Sequence, residues 1–368
     1  MKNISELKQE MERGVADGVF PGAVLLWAES GKIMFHGAVG AFDQSGIRKV
    51  EPSSVYDLAS LTKPLATTLA VAELIGDGRF KLSSPLSELI PGVDGTDKAR
   101  ITVDMLLRHT SGLPAHREYF KEIVPGDPDA RNLLRQMILS EPLDSVPGEK
   151  EVYSDLGFML LAWVVEMISG NRLDHFIRER IYSPLGLEGL FFNDLNAQEK
   201  SVGFQDIVPT SRCAWRGKLM AGEVEDENAW VAGGIEGHAG LFGDALSVYI
   251  LADEILRALR NDRPRILKPE VMQAFVERLP GMTRVAGFDT PSGENSSAGK
   301  GFPRHGIGHL GFTGTSLWMA PETGRVVVLL SNRVHPSRDN WKIRKFRPRI
   351  HDKIHDLASS NSNTNIQV

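Results

Sequence analysis

The chain has 368 residues, of which 42% are hydrophobic and 24% charged, with a formal net charge of -5. That is enough apolar material for one large core or two interlocked ones, and the mixing of both charge signs leaves no broad basic surface for nucleic acid. Cys213 is the single cysteine, which excludes an intrachain disulfide and any cysteine-based metal cluster.

Residues 1–10 carry charges every few positions and read as an amphipathic helix with no apolar secretory core behind it, so cytoplasmic placement is expected if Met1 is the native start. The longest apolar runs, 22–27 and 326–330, are strand-sized, and no membrane span is expected. Residues 22–27 and 32–37 flank Glu29-Ser30-Gly31 and predict an antiparallel hairpin. A helical run follows over 64–75, with Glu73 its only charge and Pro64 in its first turn. Between 157 and 168, Leu160, Leu161, Val164, Val165 and Ile168 recur at helical spacing before Ser169-Gly170 stops the run. Residues 173–180 and 246–259 share that periodicity. From 283 to 303 the chain is rich in Gly, Ser, Pro and Asn, which predicts a long irregular loop able to shape a pocket. Residues 315–320 and 325–330 flank Pro321-Glu322-Thr323-Gly324 and predict a second hairpin.

Strands at both ends around a helical middle predict an α+β fold: one antiparallel sheet built from the two termini and flanked by helices, with a mostly helical lobe inserted. We expect residues 1–80 and 240–356 in the sheet lobe, 81–239 in the helical lobe, and a cleft between them. The polar, low-complexity residues 357–368 are expected to form a disordered tail.

Ser60-Leu61-Thr62-Lys63 sets a hydroxyl and an amine one helical turn apart, where the lysine can reach the serine. Alone the tetrad is weak, because a serine before a helix is most often a cap. Tyr153, in Val152-Tyr153-Ser154-Asp155, sits at a loop-to-helix junction and can point into a cleft. Beside a cationic Lys63 its phenolate would be favoured, letting it take the Ser60 proton and return it to a leaving group. The third element, Gly308-His309-Leu310-Gly311-Phe312-Thr313-Gly314, enters the second hairpin with glycines that let a substrate approach strand backbone closely. A metal enzyme is the first rival, since His305 and His309, or His351 and His355, could pair imidazoles. Neither pair has obvious carboxylate company, and the second falls in an Arg- and Lys-rich helix whose face is expected to be solvated. Residues 293–301 have the wrong spacing for a phosphate loop, and no Gly-x-Ser-x-Gly elbow is present. No metal and no cofactor are expected.

Together the three elements resemble the serine beta-lactamase and penicillin-binding-protein superfamily: Ser-x-x-Lys, then Tyr-x-Asn or Ser-x-Asn, then Lys-Thr-Gly or His-x-Gly at the sheet edge. The resemblance is to the branch of class C beta-lactamases, D-alanyl-D-alanine carboxypeptidases and esterases, and spans nearly the whole chain, including 101–114, 181–187 and 233–242. It implies a beta-lactamase/transpeptidase-like fold and a serine hydrolase that forms an acyl-enzyme on small ester or amide substrates. By the same resemblance Ser60 is the nucleophile, Lys63 its activator and Tyr153 the general base and later acid. The backbone N–H groups of Ser60 and Phe312 are the oxyanion donors, and Asp155, His309 and Gly311 contact substrate. Asp155 stands where the family often has asparagine, and His309 where beta-lactamases usually have lysine. An ionised Asp155 only accepts hydrogen bonds and can pair with Lys63, while His309 would hold a carboxylate less firmly than lysine. Strong beta-lactam hydrolysis is therefore not expected. The expected partner is a small acyl substrate; oligomeric state is not legible. The alternative is a non-catalytic or slowly acylated binding or sensor relative.

Overall fold

The computed structural model describes residues 4–197, 206–293 and 296–364. Its main sheet has seven strands, numbered here in chain order: β1 (Gly22–Glu29), β2 (Lys32–Gly40), β3 (Arg284–Val285), β4 (Phe288–Asp289), β5 (Ile307–Leu310), β6 (Ser316–Ala320) and β7 (Arg325–Ser331). Their spatial order is β2-β1-β7-β6-β5-β4-β3, every pairing is antiparallel, and the first strand from one terminus lies directly against the last from the other. The register Ala23 to Ser331 through Glu29 to Arg325 closes the two predicted hairpins into one sheet.

Both faces of this sheet are covered, so β1 reads as a continuous apolar run rather than an alternating one. Ala23, Leu25 and Trp27 pack with Val327 and Leu329 under α1 (Ser5–Ala16) and the C-terminal α6 (Ile343–Thr364), against Leu7, Met11, Ile343, Phe346 and Ile350. Val24, Leu26 and Ala28, pointing the opposite way, pack with Val326, Val328 and Leu330 into the larger core, which takes in the helices of the middle region. Those helices include α2 (Thr68–Gly76), α3 (Asp155–Ser169), α4 (Glu227–Val231) and α5 (Ala245–Arg260). α3 starts at a Ser154 cap, whose hydroxyl accepts the Gly157 N–H at 3.3 Å, and ends at left-handed Gly170. A small sheet of Tyr56–Asp57, Leu241–Gly243 and Leu190–Phe192 ties the segment before Ser60 to the middle of the chain.

Three local expectations change. Residues 283–303 are not wholly irregular: β3 and β4 form a hairpin around Gly287, whose φ of +79° suits a residue without a Cβ, and extend the sheet edge. The predicted tail is helical in α6 as far as Thr364, with Leu357 buried, because its apolar positions continue the helical stripe; residues 365–368 lie outside the described part. His351, placed by composition on a solvated face, is 3% exposed, and burial pushes its imidazole down to about 3. The helix hides the stripe that carries it, Arg347 included, and shows Arg344, Lys345 and Arg349 to solvent. No single described helix is long and apolar enough to cross a membrane.

Candidate active site

Ser60 is presented by a strained loop. Ala59, just before it, has φ +50°, a region unfavourable for a residue with a Cβ, and is fixed from both sides. Its N–H donates to Asp57 Oδ1 at 2.8 Å, and its carbonyl accepts the Thr62 hydroxyl at 2.7 Å. Asp57 is itself buried, and its second oxygen accepts the Glu225 N–H at 2.7 Å. The turn between β5 and β6 grips the same loop: Thr313 Oγ1 donates to the Asp57 carbonyl at 2.8 Å and Thr315 Oγ1 to the Leu58 carbonyl at 3.0 Å. The threonines beyond His-x-Gly thus lock the sheet edge to the serine. After Ser60 the chain is not a plain α-helix: a 3-10 turn over Ala59–Leu61 passes into a π-helical stretch over Lys63–Thr67 before α2 begins.

Lys63 is fully buried and its Nζ meets three oxygens: Ser60 Oγ at 3.1 Å, Asp155 Oδ1 at 2.7 Å and the His238 carbonyl at 3.2 Å. Burial alone would pull the amine down, but Asp155 and then Tyr153 outweigh it and hold Lys63 above its ordinary value, as an ammonium. Tyr153 lies beside it, with the Lys63 nitrogen 4.8 Å from the ring centroid. Here the outcome differs from the expected phenolate. Burial raises the phenol and Asp155 adds to that, so Tyr153 ends above its ordinary value despite the opposing pull of Lys63. Asp155, with Lys63 on one oxygen and His116 Nδ1 3.3 Å from the other, is held well below the usual carboxylate range against the effect of burial. The expected Asp155–Lys63 pairing is therefore present.

His309 is buried, and its Nδ1 lies 2.9 Å from the Leu310 carbonyl, an oxygen that can only accept, so Nδ1 carries the hydrogen. Burial lowers its pKa, which leaves a neutral ring whose Nε2 is an acceptor. In that state it offers a carboxylate no charge. Gly311 has no room for a side chain, since a Cβ would strike the Thr315 side chain and stand 2.6 Å from the Leu58 carbonyl. Among the described residues, neither the Ser60 nor the Phe312 backbone N–H donates to any protein group, and both residues line one cavity of about 520 Å³. Tyr153, Asp155, His309 and Gly311 line it as well.

Sequence reading missed several neighbours. His109 lies in a stretch quoted for its family likeness but not singled out. Its ring lies tilted against that of Tyr153 with centroids 4.6 Å apart, its Nδ1 accepts the Ser154 N–H at 3.0 Å, and burial keeps it neutral. Arg284 of β3 reaches Glu151 at 2.6 Å and Asp289 at 2.7 Å, with its guanidinium 5.6 Å from the Tyr153 ring. It bridges the strand edge to the segment that carries Tyr153. Asp226, which caps α4 by accepting the Ala229 N–H at 2.8 Å, also had no sequence signal. One oxygen or nitrogen each from His116, Asp155 and Asp226 fall within 4.8 Å of one another, the one group of three possible metal ligands among the described residues. Lys63 already supplies a cation to Asp155 there, which disfavours a dication.

A buried loop that offers a serine to a lysine, on a sheet built from both termini, defines the beta-lactamase/transpeptidase-like fold. The model of the Beta-lactamase family matches residues 7–346, and the chain belongs to that family, whose members are serine hydrolases. It is 31% identical over 325 residues to a protein from Salmonella schwarzengrund (strain CVM19633) named "Putative D-alanyl-D-alanine carboxypeptidase", covering 79% of this chain and 72% of that one. Among solved structures it is similar to "EstCE1, a hydrolase with promiscuous acyltransferase activity", with TM-score 0.72, 20% identity and coverage of 94% and 98%. It is also similar to SurE, solved with D-Leu, with TM-score 0.71, 20% identity and coverage of 95% and 75%.

Proposed function

We propose that this chain hydrolyses small esters or amides through an acyl-enzyme on Ser60. The observation that carries the reading is the buried Lys63 ammonium, 3.1 Å from Ser60 Oγ and 4.8 Å from the Tyr153 ring centre, behind a cavity that Ser60 and Tyr153 line. Lys63, held cationic by Asp155, orients Ser60 and stabilises negative charge on Tyr153. The resting phenol is protonated, so the reaction draws on the minor fraction of Tyr153 that has lost its proton to solvent and that Lys63 stabilises; this phenolate takes the Ser60 proton as Oγ attacks the carbonyl carbon. The oxygen of that carbonyl becomes negative between the N–H groups of Ser60 and Phe312, whose freedom from internal partners supports this role. Collapse expels the leaving group with the proton from Tyr153, and water then releases the acid by the same route in reverse. Asp155 sets the charge of Lys63, and neutral His309 accepts a hydrogen bond from substrate. The names of the Salmonella relative and of the two solved structures favour acyl or D-amino-acid compounds as substrates. The test is hydrolysis of short-chain nitrophenyl esters by wild type and Ser60→Ala. We expect a loss of about a thousandfold or more in the variant, with an unchanged circular dichroism spectrum. Equal activity in both would overturn the assignment, and one burst of product without turnover in wild type would favour the sensor alternative.

A further inference from the structure

The cavity in front of Ser60 is lined by side chains of both charges, some with capacity the protein does not use. One is Asp226, whose Oδ1 is fixed by the Ala229 N–H and by His238 Nε2, each at 2.8 Å. Burial would raise this carboxyl, but His238 brings it down to about 2, so it is ionised. Among the described residues no donor reaches its Oδ2, and the side chain keeps 22% of its surface exposed. It lies where Asp155 and His116 converge, and Asp155 leads through Lys63 to Ser60 Oγ by contacts of 2.7 and 3.1 Å. A group held at Asp226 is therefore close to the reacting serine.

Arg333, beside Phe312, lines the cavity with Arg344 and Arg347, and none of the three pairs with a carboxylate among the described residues. Arg344 is exposed and stacks 4.3 Å from the Trp341 ring centre. Arg347 is 5% exposed, gives one nitrogen to the carbonyls of Gly311 and Thr315, and has a buried Nε with no partner. Guanidinium groups gathered without counter-charges disfavour one another, and an anion between them removes that cost. By contrast Arg338 and Arg284, on the same cavity, each already hold two carboxylates. Guanidinium groups without a carboxylate partner thus gather beside Phe312, while Asp226 offers the reacting serine's side of the cavity an open oxygen and, unlike Glu227 and Asp289, holds no arginine.

We propose that the substrate is a small zwitterion, an unblocked dipeptide whose α-ammonium binds Asp226 and whose carboxylate binds Arg344 and the arginines behind it. This rests on the Ser60 hydrolase reading and narrows it. A peptide stem with a blocked amine lacks the group Asp226 recognises, and a simple ester lacks both.

The experiment compares four compounds with wild type: alanyl-alanine, its N-acetyl derivative, its C-terminal amide, and p-nitrophenyl acetate, the first three as D,D and L,L forms. For at least one stereoisomer, N-acetylation and amidation should each lower kcat/KM about tenfold or more, in line with loss of one charge-assisted contact. Asp226→Asn keeps an oxygen for the Ala229 cap and should reduce the acetylation penalty to within about threefold while leaving the amidation penalty. Arg344→Gln should do the converse. Because each readout is a ratio within one protein, a general loss of stability does not imitate it. Blocked dipeptides cleaved as well as the free one, or no dipeptide cleaved while the nitrophenyl ester is, would overturn the proposal and leave the hydrolase reading standing. An ester left intact, with Ser60 unlabelled, would overturn both. Cleavage of the free dipeptide that is lost to EDTA and restored by a divalent cation would give Asp226 to a metal and overturn its role here.

Discussion

Asp155→Asn tests the electrostatic core of the site. Asp155 Oδ1 lies 2.7 Å from Lys63 Nζ, which lies 4.8 Å from the Tyr153 ring centre, so this carboxylate oxygen is at most about 7.5 Å from that centre, the sum of the two distances. A unit charge at about 7.5 Å and an effective dielectric of about 20 contributes about 2 kcal/mol. Its sign opposes loss of a proton from the Lys63–Tyr153 pair, whichever member gives it up. Removing the charge therefore moves the acid-side limb of the kcat/KM profile to lower pH. At a fixed pH on that limb the rate should rise on the order of tenfold, the remainder of the Coulomb figure being lost to water in the cavity. The assay is hydrolysis of a nitrophenyl ester by both proteins from about pH 5 to about pH 10, reading the position of the limb rather than its height. A limb that stays in place, or moves to higher pH, refutes the reasoning. A fall at every pH with an unmoved limb would show that Asp155 acts by placing Lys63 and not through its charge.

Two further variants address the scaffold. Burial raises the Asp57 carboxyl from 3.8 to about 7, so the folded state favours the protonated form. Stability linked to it is complete below about pH 4 and is lost as pH rises toward 7. Asp57→Asn should lower Tm at pH 5, because the amide nitrogen cannot accept the second of two buried N–H groups, at a cost of about 1–3 kcal/mol. Its Tm should also fall less than that of wild type between about pH 5 and about pH 8; parallel curves in a thermal melt would contradict the shift. Gly311→Ala, whose methyl meets the Leu58 carbonyl and the Thr315 side chain, should cost about 1–3 kcal/mol of overpacking and lower ester turnover about tenfold or more. Unchanged kinetics would mean that this strand edge does not set the Ser60 geometry.

Sheet and serine were legible because they rest on local rules. Apolar runs around Glu29-Ser30-Gly31 and around Pro321 to Gly324 specify hairpins whatever else the chain does, and Ser60 with Lys63 is a spacing on one helical turn. Tyr153 and the strand at His309 are short motifs in a fixed order, so their meeting with Ser60 could be anticipated from likeness. The errors came where a residue's state depends on distant partners. A tyrosine near a lysine reads as acidified, and only the fold places Asp155 against that lysine and burial around both. His309 reads as neutral or part-charged, and its own Leu310 carbonyl and its burial favour the neutral form. A histidine in a basic helix reads as solvated until the helix is laid on the sheet.

The same dependence decides what the site can recognise. Formal charge along the chain is mixed and close to balanced, and it gives no sign of a polar cavity. Folding cancels most of it in pairs, Arg338 with Glu225 and Glu227, Arg284 with Glu151 and Asp289, Lys63 with Asp155. Around the cavity, among the described residues, this leaves the arginines beside Phe312 without a carboxylate and leaves Asp226, held by His238 on one oxygen, without an arginine. A charge already paired contributes little to a ligand, because each new contact must displace an existing one. Selectivity should therefore follow the unpaired residue left after folding, and Asp226→Asn should change which substrate is preferred while Asp155→Asn changes the pH at which any substrate reacts.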